Sequence, residues 1–126
     1  MLARNTYDKE YIDACRARID ADLAVIGAGA DARVYNDLVM LLDYCFVHRT
    51  RNLEGKDGNP INEVRVIGSS LLENDDVMLA DKQIKLDPAR SVLGYAPGDR
   101  IAVDEAGFRR LAAAFFDEIE RRYTAS

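Results

Sequence analysis

Residues 34–47 read VYNDLVMLLDYCFV, and this stretch decides the fold. Its apolar residues cover every side of a helix, which predicts a helix over about 32–49 that lies inside the molecule. Asp43 stands in the middle of that helix, and its neighbours three and four positions away are all apolar: Val39, Met40, Phe46 and Val47. A buried carboxylate without a partner costs too much free energy, so we expect Asp43 to be paired, protonated or facing a cavity.

The expected partner of Asp43 is an arginine, either Arg49 or Arg65, which would lock the second helix against the third. Tyr44 is expected to be a second buried polar residue of the same helix. A chain of 126 residues leaves much apolar surface to cover, and a helix that is apolar on all sides often covers it against a second copy. The sequence therefore predicts a homodimer formed through the helices.

Three further helices are predicted from apolar side chains at helical spacing and from the residues that start or stop helices. The chain is expected to turn at Gly27, to start a helix at Asn59 and Pro60, and to start the last helix after Asp104. The predicted helices are 7–26, about 60–73, and the segment that follows Asp104.

Between the third and fourth helices, the pattern changes to short alternating pieces. Residues 84–86 and 100–103 alternate like small strands, and the Pro-Gly-Asp turn at 97–99 lies between them. The predicted fold class is therefore α-dominant α+β. It consists of a single domain over 1–126, with four helices and a small β ribbon between the third and fourth helices.

Composition and charge argue against several classes of function. The net charge is −5, which is unlike a general nucleic-acid binder or a protein that binds anionic membranes. No apolar run reaches the roughly 18 residues that a membrane span requires, and the N-terminal residues lack the apolar run of a signal peptide. We therefore expect a cytoplasmic protein.

No metal or other cofactor is expected. Cys15 and Cys45 fall on apolar helix stripes, where buried thiols behave as small hydrophobic side chains. Two cysteines and a single histidine do not have the spacing of a zinc site. Gly27 and Gly29 resemble the glycine-rich turn of dinucleotide-binding folds, but that motif requires a preceding strand, and a helix is predicted there.

The segment from His48 to Arg65 is the best candidate for a binding site. It holds four firm positive charges against three negative ones, whereas the rest of the chain is strongly acidic. The N-terminus of the third helix adds backbone N–H groups and a favourable dipole. We predict a site for a small anionic ligand, in which His48 forms one hydrogen bond and the cations are Arg49, Arg51, Lys56 and Arg65. The alternative is a solvated loop whose charges pair with one another.

Two functions of other classes stay open. A small enzyme would use His48 as its acid–base group, because an unperturbed imidazole titrates near neutral pH, with Asp43 or Glu54 as a second carboxyl group. A DNA-binding regulator would use the hairpin over 82–103. No serine or cysteine stands beside His48 as an obvious nucleophile. The sequence therefore favours a small binding or interaction protein over an enzyme.

Two sets of residues resemble known families. Leu-Gly at 93–94 and Pro-Gly-Asp at 97–99 resemble the swapped hairpin of bacterial transition-state regulators and some antitoxins, which implies a strand–turn–strand connection over 84–103. The basic residues that such dimers use on DNA are sparse here, so nucleic acid is not the expected partner. The motifs at 46–49, 54–60 and 62–65 resemble a family of small uncharacterised bacterial proteins, and that resemblance implies no chemistry.

Overall fold

Four helices form the fold of the computed structural model, which describes residues 4–124 (for Asn52, the backbone alone). The helices are α1 (Lys9–Ile26), α2 (Ala32–Cys45), α3 (Pro60–Glu73) and α4 (Glu105–Tyr123), and a 3₁₀ turn covers Arg51–Leu53. Helix α2 packs against α3 and α4, and α1 packs against α4. The core between the helices is apolar, and its largest fully buried side chains include all four phenylalanines: Phe46, Phe108, Phe115 and Phe116.

Short polar side chains cap the starts of three helices. Each accepts a hydrogen bond from a backbone N–H of the first turn, an arrangement that typically contributes about 1 kcal/mol. The pairs are Asp31 with Arg33 at 2.8 Å, Asn59 with Asn62 at 3.1 Å, and Asp104 with Gly107 at 2.7 Å. Helix α3 covers the predicted range of 60–73.

The predicted β ribbon is not formed. The part of the chain that the structure describes contains no strand between α3 and α4, so its fold is all-helical and the α+β class is wrong. Residues 84–86 and 100–103 do not pair with each other. One isolated antiparallel bridge joins Val77 to Arg100 instead, where the backbone N–H of Met78 lies 2.8 Å from the carbonyl oxygen of Asp99.

The ribbon is missing because side chains take the backbone donors that a strand would use. Asp81 accepts a hydrogen bond from the N–H of Ile84 at 2.8 Å, and the hydroxyl of Tyr95 accepts one from the N–H of Ala102 at 3.1 Å. Such local bonds compete with strand pairing. Pro88 has no N–H to contribute to a ladder. Apolar residues do alternate in this part of the sequence, but its backbone forms turns and not strands.

Glu63 anchors this long loop to α3. Its buried carboxylate accepts hydrogen bonds from the backbone N–H groups of Val92 and Leu93, at 2.8 and 2.9 Å. Burial raises the pKa of Glu63, although the two N–H groups act in the opposite direction. One carboxylate therefore fixes the loop in place of the strand pairing that the sequence predicted.

Asn36 connects α2 to the segment that leads into α4. The side chain is buried, its amide oxygen accepts from the N–H of Val103 at 3.1 Å, and its amide nitrogen donates to the carbonyl oxygen of Ile101 at 3.3 Å. Both polar ends of the amide are therefore paired inside the core, which fixes where α4 begins relative to α2.

Helix α2 is shorter and less buried than predicted. It ends at Cys45 instead of about 49, because Phe46 leaves the helical conformation with φ −126° and ψ 39°. His48 therefore lies beyond the helix and not on its last turn. Tyr44 is 70% exposed, so its predicted burial is wrong. Between residues 4 and 124, no helix combines the length and apolar character that crossing a membrane needs.

We expect Glu63→Ala to lower the free energy of unfolding by about 2–6 kcal/mol, because it leaves two N–H groups without an acceptor, at roughly 1–3 kcal/mol each. Urea denaturation measures the change. The control is Asp117→Ala, which removes an exposed carboxylate 3.3 Å from Arg16 and should cost less than about 1 kcal/mol. Equal changes in the two variants would show that Glu63 does not hold the loop.

Candidate functional site

A buried ion pair occupies the end of α2. The guanidinium group of Arg49 donates from Nη2 to Asp43 Oδ1 and from Nε to Glu54 Oε2, both at 2.8 Å. The side chains of Arg49 and Glu54 are 0% and 1% exposed, whereas that of Asp43 is 28% exposed. Burial alone would lower the pKa of Arg49, but the two carboxylates outweigh it and the pKa is raised. Asp43 is therefore paired with one of its two expected partners, at the edge of the core.

The same cluster holds the C-terminal end of α4. The hydroxyl of Tyr123 lies 2.8 Å from Glu54 Oε2 and 2.6 Å from the carbonyl oxygen of Thr50. Burial, and then the neighbouring carboxylate of Glu54, raises the pKa of Tyr123. Its hydroxyl therefore stays protonated and donates. Tyr123 was not among the site residues predicted from the sequence, although a buried tyrosine hydroxyl usually needs a partner, and that was the available signal.

The structure does not bring the predicted anion-binding residues together as one site. Arg49 faces Asp43 and Glu54 inside the protein, so its charge does not face solvent. Lys56 is exposed, and its carbonyl oxygen accepts a hydrogen bond from the backbone N–H of Lys85 at 3.1 Å. The predicted anion-binding residues therefore do not form one site, and Arg49 has a structural role.

Arg51 and Arg65 stay available for an anion. Arg51 is exposed and Arg65 is half-buried, and neither forms an ion pair with a carboxylate of residues 4–124. Desolvation and the positive charges of Arg49 and Arg65 lower the pKa of Arg51, whereas the carboxylates of Asp43 and Glu54 act in the opposite direction.

The N-terminus of α3 is closed by its own loop. The amide of Asn59 donates to the carbonyl oxygen of Glu54 at 2.6 Å and to Asp57 Oδ1 at 2.7 Å, while its oxygen caps the helix. The amide of Asn62 donates to the carbonyl oxygens of Gly55 and Asp57, at 3.2 and 2.8 Å. Internal bonds therefore occupy the helix end that was predicted to meet a ligand.

Two adjoining clefts border the end of α2. The first has a volume of about 390 Å³ and lies between the N-terminal segment, α1 and α2; its lining includes Arg4, Tyr7, Tyr11, Tyr44, Val47 and His48. The second has a volume of about 470 Å³ and lies between α2 and α3; its lining includes Met40, Leu41, Tyr44, Val47, Leu72 and Glu73. Tyr44 and Val47 belong to both clefts, so the two form one continuous surface.

His48 lies in the first cleft without the partner that acid–base catalysis usually needs. Its Nδ1 atom is buried and has no hydrogen-bond partner within the described range, so no carboxylate there orients the imidazole. Asp43 and Glu54, the proposed second carboxyl groups, are both engaged by Arg49. Neither carboxylate that was predicted to assist His48 is therefore free to do so.

Comparison of the chain with protein-family models, with curated proteins and with solved structures finds no match. The two resemblances noted in the sequence therefore remain predictions.

We expect Arg49→Met to lower the free energy of unfolding by about 3–5 kcal/mol, because it leaves the buried Glu54 carboxylate without its charged partner. Chemical denaturation monitored by circular dichroism measures the effect. The matched control is Arg51→Met, which removes a neighbouring exposed arginine and should change stability by no more than about 0.5 kcal/mol. If Arg49→Met is as stable as the control, the ion pair does not hold the end of α2.

Proposed function

We propose that this protein is a binding protein that forms a symmetric homodimer through an exposed apolar face, defined as Tyr11, Tyr44, Val47 and Leu72. The observation that carries the proposal is the exposure of large apolar side chains on one continuous surface. Leu72 is 75% exposed and Tyr44 is 70% exposed, and Tyr11 and Val47 are exposed beside them. Monomeric proteins seldom leave such contiguous apolar patches open to water.

The energetics favour covering this face. Complete burial of a leucine or valine side chain contributes about 1.5–3 kcal/mol. Tyrosine is enriched at interfaces because it combines a large apolar area with a polar end. In a two-fold dimer the same face occurs twice, so each of these side chains contributes from both copies. Four such residues are enough for the centre of a modest interface.

Charges at the ends of the face support a second copy of this chain as the partner. Arg4 borders the first cleft, and Glu73 borders the second. A two-fold axis between the clefts would bring Arg4 of one copy towards Glu73 of the other. Opposite charges placed in this way set the register of an interface and disfavour other arrangements.

We expect Leu72→Glu to weaken self-association at least about tenfold, because one substitution places two charges in the apolar centre of a two-fold interface. Tyr44→Glu should act in the same direction. Sedimentation velocity over a range of protein concentrations measures the dissociation constant.

The control for this measurement is Val25→Glu. Val25 is 87% exposed on α1 and lines neither cleft, so its substitution should leave association unchanged. Reversing one charge, as in Arg4→Glu, should weaken the dimer, and adding Glu73→Arg should restore it. A wild-type protein that stays monomeric at every concentration contradicts the proposal, as does equal weakening by Val25→Glu.

A second candidate function is the binding of a small anion by Arg51 and Arg65. The observation in its favour is that residues 4–124 provide no carboxylate that forms an ion pair with either guanidinium group. Guanidinium groups bind phosphate and carboxylate oxygens through paired hydrogen bonds.

Isothermal titration with inorganic phosphate and with small dicarboxylates tests the anion site. We expect Arg51→Gln and Arg65→Gln each to weaken the binding about tenfold, which corresponds to the loss of roughly 1.4 kcal/mol. Arg90→Gln is the control, because Arg90 is an exposed arginine of the loop near Asp87. If all three variants bind the anion equally, the pair Arg51–Arg65 is not its site.

A further inference from the structure

Two opposite charges line the first cleft without forming an ion pair. One belongs to Arg4 of the N-terminal segment, and the other belongs to Asp8, the residue that precedes α1. Neither side chain pairs with the other or with any other residue of the range 4–124. A cleft that carries one unpaired cation and one unpaired anion is complementary to a ligand that carries both charges.

The backbone holds Arg4 in position at the cleft. Its N–H donates to the carbonyl oxygen of His48 at 2.6 Å, and its carbonyl oxygen accepts from the N–H of Thr50 at 2.7 Å. The guanidinium carbon lies 5.8 Å from the centre of the Tyr7 ring, a contact that attracts the cation without neutralising its charge. The donors of the guanidinium group therefore stay available to a carboxylate.

Asp8 occupies the position of a helix cap but does not act as one. The residues that precede α2, α3 and α4 each accept a hydrogen bond from the helix through the side chain. The side chain of Asp8 accepts none from α1, and the residue is exposed. Its carboxylate oxygens are therefore available to a cationic group such as an ammonium.

Tyrosine rings line the same cleft. Tyr11 stacks on Tyr7, with ring centroids 5.8 Å apart and an angle of 18° between the planes, and its hydroxyl donates to the carbonyl oxygen of Cys45 at 2.5 Å. These contacts fix the orientation of the Tyr11 ring, which is 44% exposed, and Tyr44 on the same cleft is 70% exposed. An aromatic side chain of a ligand can pack against such rings.

His48 provides one further hydrogen-bond donor. Its Nδ1 atom is buried and has no partner within the described range. Because a buried N–H without an acceptor is costly, the neutral imidazole carries its hydrogen on Nε2. His48 lines the cleft, and its backbone is bonded to that of Arg4. The cleft therefore offers a second donor to a carboxylate in addition to the guanidinium group.

We propose that the first cleft binds a free aromatic α-amino acid. The carboxylate of the amino acid accepts from Arg4 and from His48 Nε2, its ammonium group donates to Asp8, and its ring packs against Tyr11 and Tyr44. The cleft volume of about 390 Å³ is in the range of small-molecule sites, roughly 300–1,000 Å³. A simple anion leaves Asp8 unpaired, and a simple amine leaves Arg4 unpaired.

This site does not rest on the proposed dimer and would compete with it. In that dimer, Glu73 of a second copy approaches Arg4, so the ligand carboxylate and Glu73 would compete for one guanidinium group. Leu72 lines only the second cleft, so Leu72→Glu should bind the amino acid at least as tightly as the wild type. If no dimer forms, the two proteins should bind with equal affinity, and failure of the dimer is thus distinguished from failure of the site.

Isothermal titration of the folded protein with L-phenylalanine tests the site, together with two analogues that each lack one charge. Phenylpropanoate lacks the ammonium group, and phenethylamine lacks the carboxylate. We expect phenylalanine to bind once per chain. Each analogue should bind about tenfold more weakly, which corresponds to the loss of roughly 1.4 kcal/mol.

Substitutions in the cleft should act selectively on these three compounds. Arg4→Gln should weaken phenylalanine and phenylpropanoate about tenfold and leave phenethylamine unchanged, because only the first two carry a carboxylate. Asp8→Asn should weaken phenylalanine and phenethylamine and should not weaken phenylpropanoate. The matched controls are Arg90→Gln and Asp117→Asn, which change exposed charges outside the cleft and should leave all affinities unchanged.

Arg4→Lys and Asp8→Glu keep the two charges and should retain most of the affinity for phenylalanine. Circular dichroism confirms that each variant is folded, and these conservative variants replace the neutral ones if a neutral variant unfolds. No binding of phenylalanine, equal affinities for the three compounds, or equal effects of the cleft and control variants would overturn the proposal.

Discussion

The arrangement of the whole molecule depends on the buried guanidinium group of Arg49. Its two carboxylate partners come from α2 and from the turn that follows Arg51–Leu53, and its Nη1 atom also donates to the carbonyl oxygen of Phe46 at 3.1 Å. A charged group at 0% exposure is tolerated only when its hydrogen-bonding groups all have partners. This requirement fixes the end of α2, the following turn and, through Glu54, the last turn of α4.

The N-terminal segment is joined to this centre by backbone bonds. The N–H of Arg4 donates to the carbonyl oxygen of His48 at 2.6 Å, and the N–H of Thr50 donates to the carbonyl oxygen of Arg4 at 2.7 Å. The N–H of Tyr7 likewise donates to the carbonyl oxygen of Tyr123 at 2.7 Å. The same segment forms one wall of the first cleft, so the position of that wall depends on the ion pair beneath it. The exposed apolar face thus lies beside a buried ion pair.

The helices could be predicted because their signals are local. Asn59 and Pro60 mark the start of α3, and Asp104 marks the start of α4, through caps that depend only on adjacent residues. The β ribbon could not be judged in this way, because backbone donors of its predicted strands also find partners far away in the sequence, as the N–H of Val103 does with Asn36 of α2 at 3.1 Å. Alternation in a sequence shows which side chains are apolar, but it does not show which acceptor a backbone donor finds.

The candidate site illustrates the same limit. The sequence identified the segment around His48 and the need to pair Asp43, yet it placed Arg49 in a ligand site when Arg49 is an internal partner. Charge balance along the chain does not distinguish an arginine that faces water from one that faces two carboxylates. The exposure of Tyr44 was equally hidden, because an apolar pattern on every side of α2 does not show which side faces water.

The amide of Asn36 has a consequence for how the chain assembles. Its two bonds to Ile101 and Val103 join segments that are far apart in sequence, as does the bond between the Tyr7 and Tyr123 backbones. Closing such long loops costs conformational entropy, and this cost arises before the new contacts can offset it. This molecule should therefore fold more slowly than a bundle of equal length whose helices meet only their sequence neighbours, and its rate-limiting step should be the docking of α4.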